Sequence, residues 1–202
     1  MPALQRLSEK TRARREELLD GLRRLFLAEG FARFSVSDMA ERLRCSKSTL
    51  YLVAPSKEQI VVAAVRSYFK RAAERIEARV AEAPPEKRLV VYLEAVAAEL
   101  EPVSEQFYAD LAAFAPANEV YQENTLVAAR RVQELVAEGV AAGVLRPVNA
   151  AFVGAAVARV MTGIQDGTIK EATGLDDAEA YRHLADLVMA SLTREATESP
   201  LA

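Results

Sequence analysis

The chain has 202 residues, enough for one domain or two small ones with a buried core, and its 51% hydrophobic and 27% charged composition describes a globular protein. A single cysteine, Cys45, excludes an internal disulfide, and a single histidine, His183, cannot build a metal site with it. The net charge of −3 excludes neither nucleic acid nor any other partner, whereas the polar, basic start and the regularly interrupted apolar runs exclude a signal peptide and a membrane span. A cytoplasmic protein is therefore expected.

Alanine, leucine, valine, glutamate and arginine dominate, so helix is expected throughout. A basic arm carrying Arg6, Lys10, Arg12, Arg14 and Arg15 leads into a first helix with Leu18, Leu22, Leu25 and Phe26 inward, stopped by Gly30. Ser35 or Ser37 caps the second helix, whose inner face is Val36, Met39, Ala40 and Leu43. Ser46 caps a third, with Leu50 inward, and Pro55 closes it. Glu58 to Glu82 is one long fourth helix, stopped by Pro84 and Pro85. The fifth runs from Glu86 to Leu100, the sixth from Ser104 to Ala115 with Pro116 ending it, and the seventh from Ala117 to Ala142 with Gly143 after it. Asn149 caps an eighth that reaches about Asp166, and Asp176 or Asp177 caps a ninth that ends near Leu192. The tail from Arg194 to Ala202 reads as frayed. The expected fold is therefore all-α, with about nine helices and no repeat.

Charge is unevenly spread. Residues 1–57 hold twelve Lys/Arg against seven Asp/Glu, and the remaining 145 hold fourteen against twenty-two. A basic head on an acidic body is what arises when only the head meets phosphate. Residues 36–57, VSDMAERLRCSKSTLYLVAPSK, read as a short helix, a tight turn and a second short helix. Such a unit can place its second helix in a DNA major groove. Met39, Ala40, Leu43, Cys45, Leu50 and Val53 fall where the two helices must touch. Ala40 is the most restrictive, and Cys45 reads as a small buried hydrophobe rather than a reactive thiol.

The segment GFARFSVSDMAERLRCSKSTLYLVAPSKEQIV resembles the TetR family of bacterial repressors. The residues that carry the resemblance are Gly30-Phe31, Ser35-Val36, Met39-Ala40, Ser46 to Tyr51 and Pro55 to Glu58. It covers about the first 65 residues closely and the rest by helix layout. It implies a head, residues 1–57, that binds double-stranded DNA, and a body, residues 58–202, for a ligand and for dimerisation. Lys47 and Lys57 are then placed to neutralise phosphates, and Thr49 and Tyr51 to donate hydroxyl hydrogen bonds to the DNA backbone. Ser37 and Ser48 are the short polar residues near the groove, and Arg44 is a candidate for guanine or another phosphate. Three places depart from the pattern: Arg44 stands where glycine is usual, which predicts a left-handed backbone there, Leu52 replaces an arginine, and Val53-Ala54 replaces a His-Phe pair.

The resemblance further implies a homodimer on a palindromic operator, released by a small organic effector. Pairing would use the last two helices, through Ala156, Arg159, Val160 and Gly163 on one and Tyr181, Leu184, Leu187 and Val188 on the other. These faces could equally be buried within one chain. Tyr92, Phe107, Tyr108, Phe114 and Tyr121 could line the effector pocket or form plain core. The fourth helix would be the lever and the only covalent bridge between head and body. An alternative is a helix-turn-helix regulator without an effector, controlled by a protein partner or by abundance. Catalysis is not expected, nor is a cofactor or metal: there is no Glu-x-x-His pair and no glycine-rich phosphate loop, and Cys45 and His183 lie in separate regions.

Overall fold

A computed structural model describes residues 2–192, with side chains from residue 9; the expected frayed tail and the Arg6 side chain lie outside the described residues. The described residues form ten α-helices and no strand. They are α1 (Pro2–Glu29), α2 (Val36–Arg42), α3 (Lys47–Leu50), α4 (Lys57–Glu82), α5 (Arg88–Leu100), α6 (Glu105–Ala113), α7 (Ala115–Ala141), α8 (Ala150–Gln165), α9 (Thr168–Thr173) and α10 (Asp177–Leu192). One 3-10 turn, Pro85–Lys87, precedes α5.

The count exceeds the expected nine by α9, a short helix between Gly167 and Gly174, both in the left-handed region. Two boundaries differ from the sequence expectation for identifiable reasons. The basic arm is not separate from the first helix but is its beginning, since α1 runs from Pro2. Pro116 does not end a helix; it sits at the second position of α7, where its missing N–H would have had no partner in any case. The caps resolve as side-chain chemistry requires. Asn149 accepts from the Phe152 amide at 3.0 Å. Asp176, rather than Asp177, caps α10, accepting from the Glu179 amide at 2.8 Å while Glu179 accepts in return from the Asp176 amide.

The chain divides into two compact units. The first comprises residues 1–73 and 102–123, the second 74–101 and 124–202. The first compact unit thus takes in α6 and the start of α7 in addition to residues 1–57 and the larger part of α4. The chain passes between the units at three places, so α4 is not the only covalent bridge.

The first unit is built around the apolar stripe of α1. Leu22 and Phe26 are buried with Met39 from α2, Leu50 from α3, and Ile60, Val61 and Val65 from α4. Each such side chain stabilises the fold by about 1.5–3 kcal/mol relative to exposure. Phe107 and Leu111 of α6 and Tyr121 of α7 complete this core. The second unit buries Leu89, Tyr92 and Leu93 of α5, Val132, Leu135 and Val136 of α7, and Val157, Met161 and Ile164 of α8. Against α5 and α8 packs α10, through Tyr181, Leu184, Val188 and Leu192.

One polar contact in the first unit joins parts of the chain far apart in sequence. Asp110 of α6 is only 5% exposed, and its Oδ2 accepts from the Phe31 amide at 2.5 Å and the Ala32 amide at 2.8 Å. Its Oδ1 accepts from Gln106 Nε2 at 2.7 Å. These bonds hold the turn between α1 and α2, where Gly30 has φ +73°. A Cβ at Gly30 would fall 2.5 Å from Asp110 Oδ2 and 2.6 Å from Gln106 Cγ, so glycine is required twice over, by the backbone angle and by the carboxylate's approach.

Replacing Asp110 with alanine strips acceptors from a buried amide and should cost about 2–3 kcal/mol. Urea unfolding of Asp110→Ala against the parent chain reads this directly; an unchanged midpoint would refute the role given to the carboxylate.

Candidate nucleic-acid interface

The site begins where α2 is capped. Ser35, rather than Ser37, is the N-cap: its Oγ accepts from the Asp38 amide at 3.2 Å, and Asp38 Oδ2 accepts from the Ser35 amide at 2.8 Å. This reciprocal box satisfies donors that the helix cannot. The hydrogen bond from the Ser35 backbone, then the one from its hydroxyl, holds the Asp38 carboxyl below its ordinary range, with Lys57 and Lys47 adding a smaller electrostatic effect. The other end of α2 is clamped to α1, as Arg42 Nη2 donates to both oxygens of Glu29 at 2.7 and 2.6 Å. The same Glu29 pairs with Arg33, and the guanidinium groups of Arg33 and Arg42 lie 4.8 and 5.7 Å from the centre of the Phe34 ring.

The turn into α3 has two hydrogen bonds characteristic of a Schellman ending. The Arg44 amide donates to Glu41 O at 3.0 Å and the Cys45 amide to Ala40 O at 2.9 Å. This geometry demands a left-handed residue after the last helical turn, and Arg44 takes it, with φ +52°. It is the only described non-glycine residue with positive φ. Cys45 is half-buried and packs against the core beside Leu43. Ser46 then caps α3, accepting from the Thr49 amide at 3.1 Å, with its hydroxyl 2.7 Å from that of Ser48 and 2.8 Å from that of Thr49.

What α3 presents outward follows from its single buried anchor, Leu50. Lys47 and Ser48 are exposed, Thr49 is half-buried, and Tyr51 is 45% exposed at the C-cap. Ser37 of α2 and Arg44 of the turn are also exposed. Lys57 is half-buried at the start of α4, with its Nζ donating to Ala32 O at 3.0 Å, so it braces the α1–α2 turn as well as carrying charge. At the expected His-Phe site, Val53 is buried and Ala54 half-buried, while Leu52 is 43% exposed beside Tyr51. Six small or cationic groups and one tyrosine thus lie on or around a capped helix held by a fixed turn.

The model of the bacterial regulatory proteins of the tetR family matches residues 18–64. Those residues run from the first buried leucine of α1 through the helix-turn-helix into α4. Residues 18–64 are a TetR-family DNA-binding domain. Three solved structures share the fold along most of the chain. A TetR transcription regulator from Haloarcula marismortui is 19% identical, with a TM-score of 0.69 over 90% of this chain and 99% of its own. A putative transcriptional regulator from Saccharomonospora viridis, in complex with choline, is 20% identical, with a TM-score of 0.68 over 90% and 98%. A TetR-family regulator from Agrobacterium tumefaciens is 17% identical, with a TM-score of 0.66 over 91% and 100%. No curated protein matches the sequence. TetR-family regulators are transcription factors rather than enzymes, in keeping with the expectation of no catalysis.

Outside the TetR-family DNA-binding domain, the residues singled out for an effector pocket divide between the units. Phe107, Tyr108, Phe114 and Tyr121 join the aromatic core of the first unit. Phe31 meets the rings of Phe107 and Phe114 at 6.0 and 6.2 Å, and Phe69 stacks on Tyr121 at 5.4 Å. Tyr92 belongs to the second unit, where its hydroxyl donates to Ala128 O at 3.4 Å and burial holds its ionisation well above the ordinary phenol range. Of the residues singled out for pairing, Tyr181, Leu184 and Val188 are turned into the chain's own core. The reason is spacing: they lie on the one stripe of α10 that packs on α5 and α8. Leu187, off that stripe, is 65% exposed, and Ala156 and Arg159 of α8 are exposed, with Val160 and Gly163 half-buried. The sequence reading missed Phe152, which is 72% exposed near the start of α8; its i, i+4 spacing to Ala156 was the available signal.

Substitutions at three positions test the architecture. Ser35→Ala removes half of the capping box and should cost about 1 kcal/mol at neutral pH. Because the Asp38 carboxyl is held low, its contribution is present above 3.8 and is lost as pH falls through its folded value, so the deficit of Asp38→Ala measured by denaturation should shrink in acid. Arg44→Gly should raise stability by about 1 kcal/mol, read as a Tm increase of roughly 2–4 °C, while Arg44→Ala should bring no gain.

Proposed function

We infer that this regulator acts as a dimeric repressor, bound to a palindromic operator and released by a small organic effector. The observation that carries the reading is the presentation of α3, with Lys47, Ser48, Thr49 and Tyr51 around a helix whose cap and turn leave it little freedom. Lys47 and Lys57 would meet phosphates, with Arg44 a further cation, while Ser37, Ser48, Thr49 and Tyr51 supply hydroxyls for the backbone and groove. Dimerisation is supported by outward apolar groups on the last long helices, Phe152 and Ala156 of α8 and Leu187 of α10, which water does not favour. Arg159 and Gly163 lie on the same run of α8. A twofold dimer explains a palindromic operator.

Release requires an effector that distinguishes two arrangements of the protein, and its leverage equals that difference in affinity. The Asp110 contact offers the coupling: α6 holds the turn that delivers α2, so a ligand that displaces α6 also displaces the helix-turn-helix. Phe107, Tyr108, Phe114 and Tyr121 lie on or next to α6, and a ligand inserted among them would have that effect. Choline, held by the regulator from Saccharomonospora viridis, is a reasonable first candidate, together with other small organic cations.

The decisive experiment selects bound fragments from the source genome, with and without candidate effectors. Enrichment of one palindrome is expected, and failure to enrich any would overturn the reading. Lys47→Ala should weaken binding to every sequence alike and reduce the slope of log affinity against log salt by about 1. An unchanged slope would remove Lys47 from the interface.

A further inference from the structure

A groove of about 320 Å³ lies between α1 and the α2–α3 turn, at the small end of ligand-binding clefts. Arg14 and Arg24 of α1 line it from one side, Arg42 and Arg44 from the other, with Glu17 as its only carboxylate. The two halves are pressed together where α1 has glycine, since a Cβ at Gly21 would stand 3.1 Å from the Leu43 side chain. Two of the four arginines are neutralised: Arg14 Nη1 bonds Glu17 at 2.8 Å, and Arg42 bonds Glu29 at 2.6 Å. Arg24 and Arg44 make no ion pair or side-chain hydrogen bond with the described residues, and both are exposed.

A pair of uncompensated guanidinium groups facing one small cleft repel each other and gain by sharing an anion. Arg44 adds a second, independent observation. It occupies the left-handed position of the turn, φ +52°, which glycine would hold without strain, so the backbone tolerates the wrong residue at the place where its side chain reaches the groove. Arginine's planar fork suits a tetrahedral oxyanion better than a single point charge does. The groove also opens two residues before Ser46, the cap of α3, beside the surface assigned to DNA.

We propose that this groove is a phosphate-binding site, in which Arg24 and Arg44 grip one phosphate group while Arg14 and Arg42 keep its surroundings positive. The phosphate comes either from a DNA backbone that extends past the residues of α3 or from a free phosphate; only the first source rests on the DNA-binding reading above. The chemistry is the same in both cases and the sources separate experimentally.

The test uses the full chain, a mixed-sequence DNA duplex of about 30 base pairs and inorganic phosphate. Arg24→Gln and Arg44→Asn remove the two free cations at exposed positions, and asparagine tolerates the left-handed backbone. If DNA is the source, the double variant flattens the plot of log affinity against log salt by about 0.9, the loss of one phosphate contact, and each single variant by part of that, whereas Arg24→Lys keeps the parent slope. If free phosphate is the source, the DNA slope is unchanged, but inorganic phosphate raises the Tm of the parent chain and not that of the double variant, with chloride at equal ionic strength as control. Retention of the parent slope and of the parent phosphate response by the double variant overturns the proposal. Lys47→Ala distinguishes the two readings. A flattened slope for Lys47→Ala with none for the groove variants sinks the DNA source alone, and no effect from either set sinks the DNA-binding assignment of these residues.

Discussion

The Asp110 carboxylate is the contact on which the reading head depends. A helix-turn-helix can read DNA only if its first helix leaves the supporting helix at a fixed angle, and that angle is set in the turn from Gly30 to Phe34. The turn's amides have no helix to satisfy them. They donate instead to a carboxylate that arrives from α6, 79 residues further along the chain. Burial makes the contact strict, because a carboxylate at 5% exposure must have all its partners or pay heavily for lacking them. The left-handed glycine, the close approach of Gln106 and the aromatic contacts of Phe31 with Phe107 and Phe114 all follow from bringing α6 to that spot.

A second constraint operates fourteen residues later, with a different solution. There the chain again needs a left-handed residue, to close the Schellman ending of α2, and places arginine in it. Backbone hydrogen bonds from Arg44 and Cys45, the packing of Leu43 and the cap of α3 together outweigh the local preference of one residue. Gly30 and Arg44 therefore show two balances. In the first, a neighbouring side chain leaves no room for a Cβ. In the second there is room, and the strain is local to one φ angle.

Much of this was legible in the sequence. Serines marked the cap of α3 and narrowed that of α2 to Ser35 or Ser37, because capping needs only local geometry. The apolar spacing of α1 and α2 marked the core face, and the uninterrupted words from Ser46 to Tyr51 marked the family. Elements whose partners lie far away were harder. Asp110 carries no local signature of its role, since its amide partners are remote in the chain. Tyr181, Leu184 and Val188 read as candidates for pairing, since an apolar stripe looks the same whether its cover is the same chain or another. Pro116 read as a stop because a proline at a helix boundary has the same local signature on either side of it.

The sequence alone determined the helical class, the helix-turn-helix and the cap of α3, and the left-handed turn at Arg44, because each depends on residues within one or two helical turns of one another. Tertiary structure decided which residues of α10 are spent inside the chain and which of α8 remain outside, that α6 belongs with the head, and that Arg24 and Arg44 share a groove. Those outcomes depend on which surfaces meet, and the meeting is governed by burial and hydrogen-bond satisfaction between segments whose separation along the chain carries no trace of their separation in space.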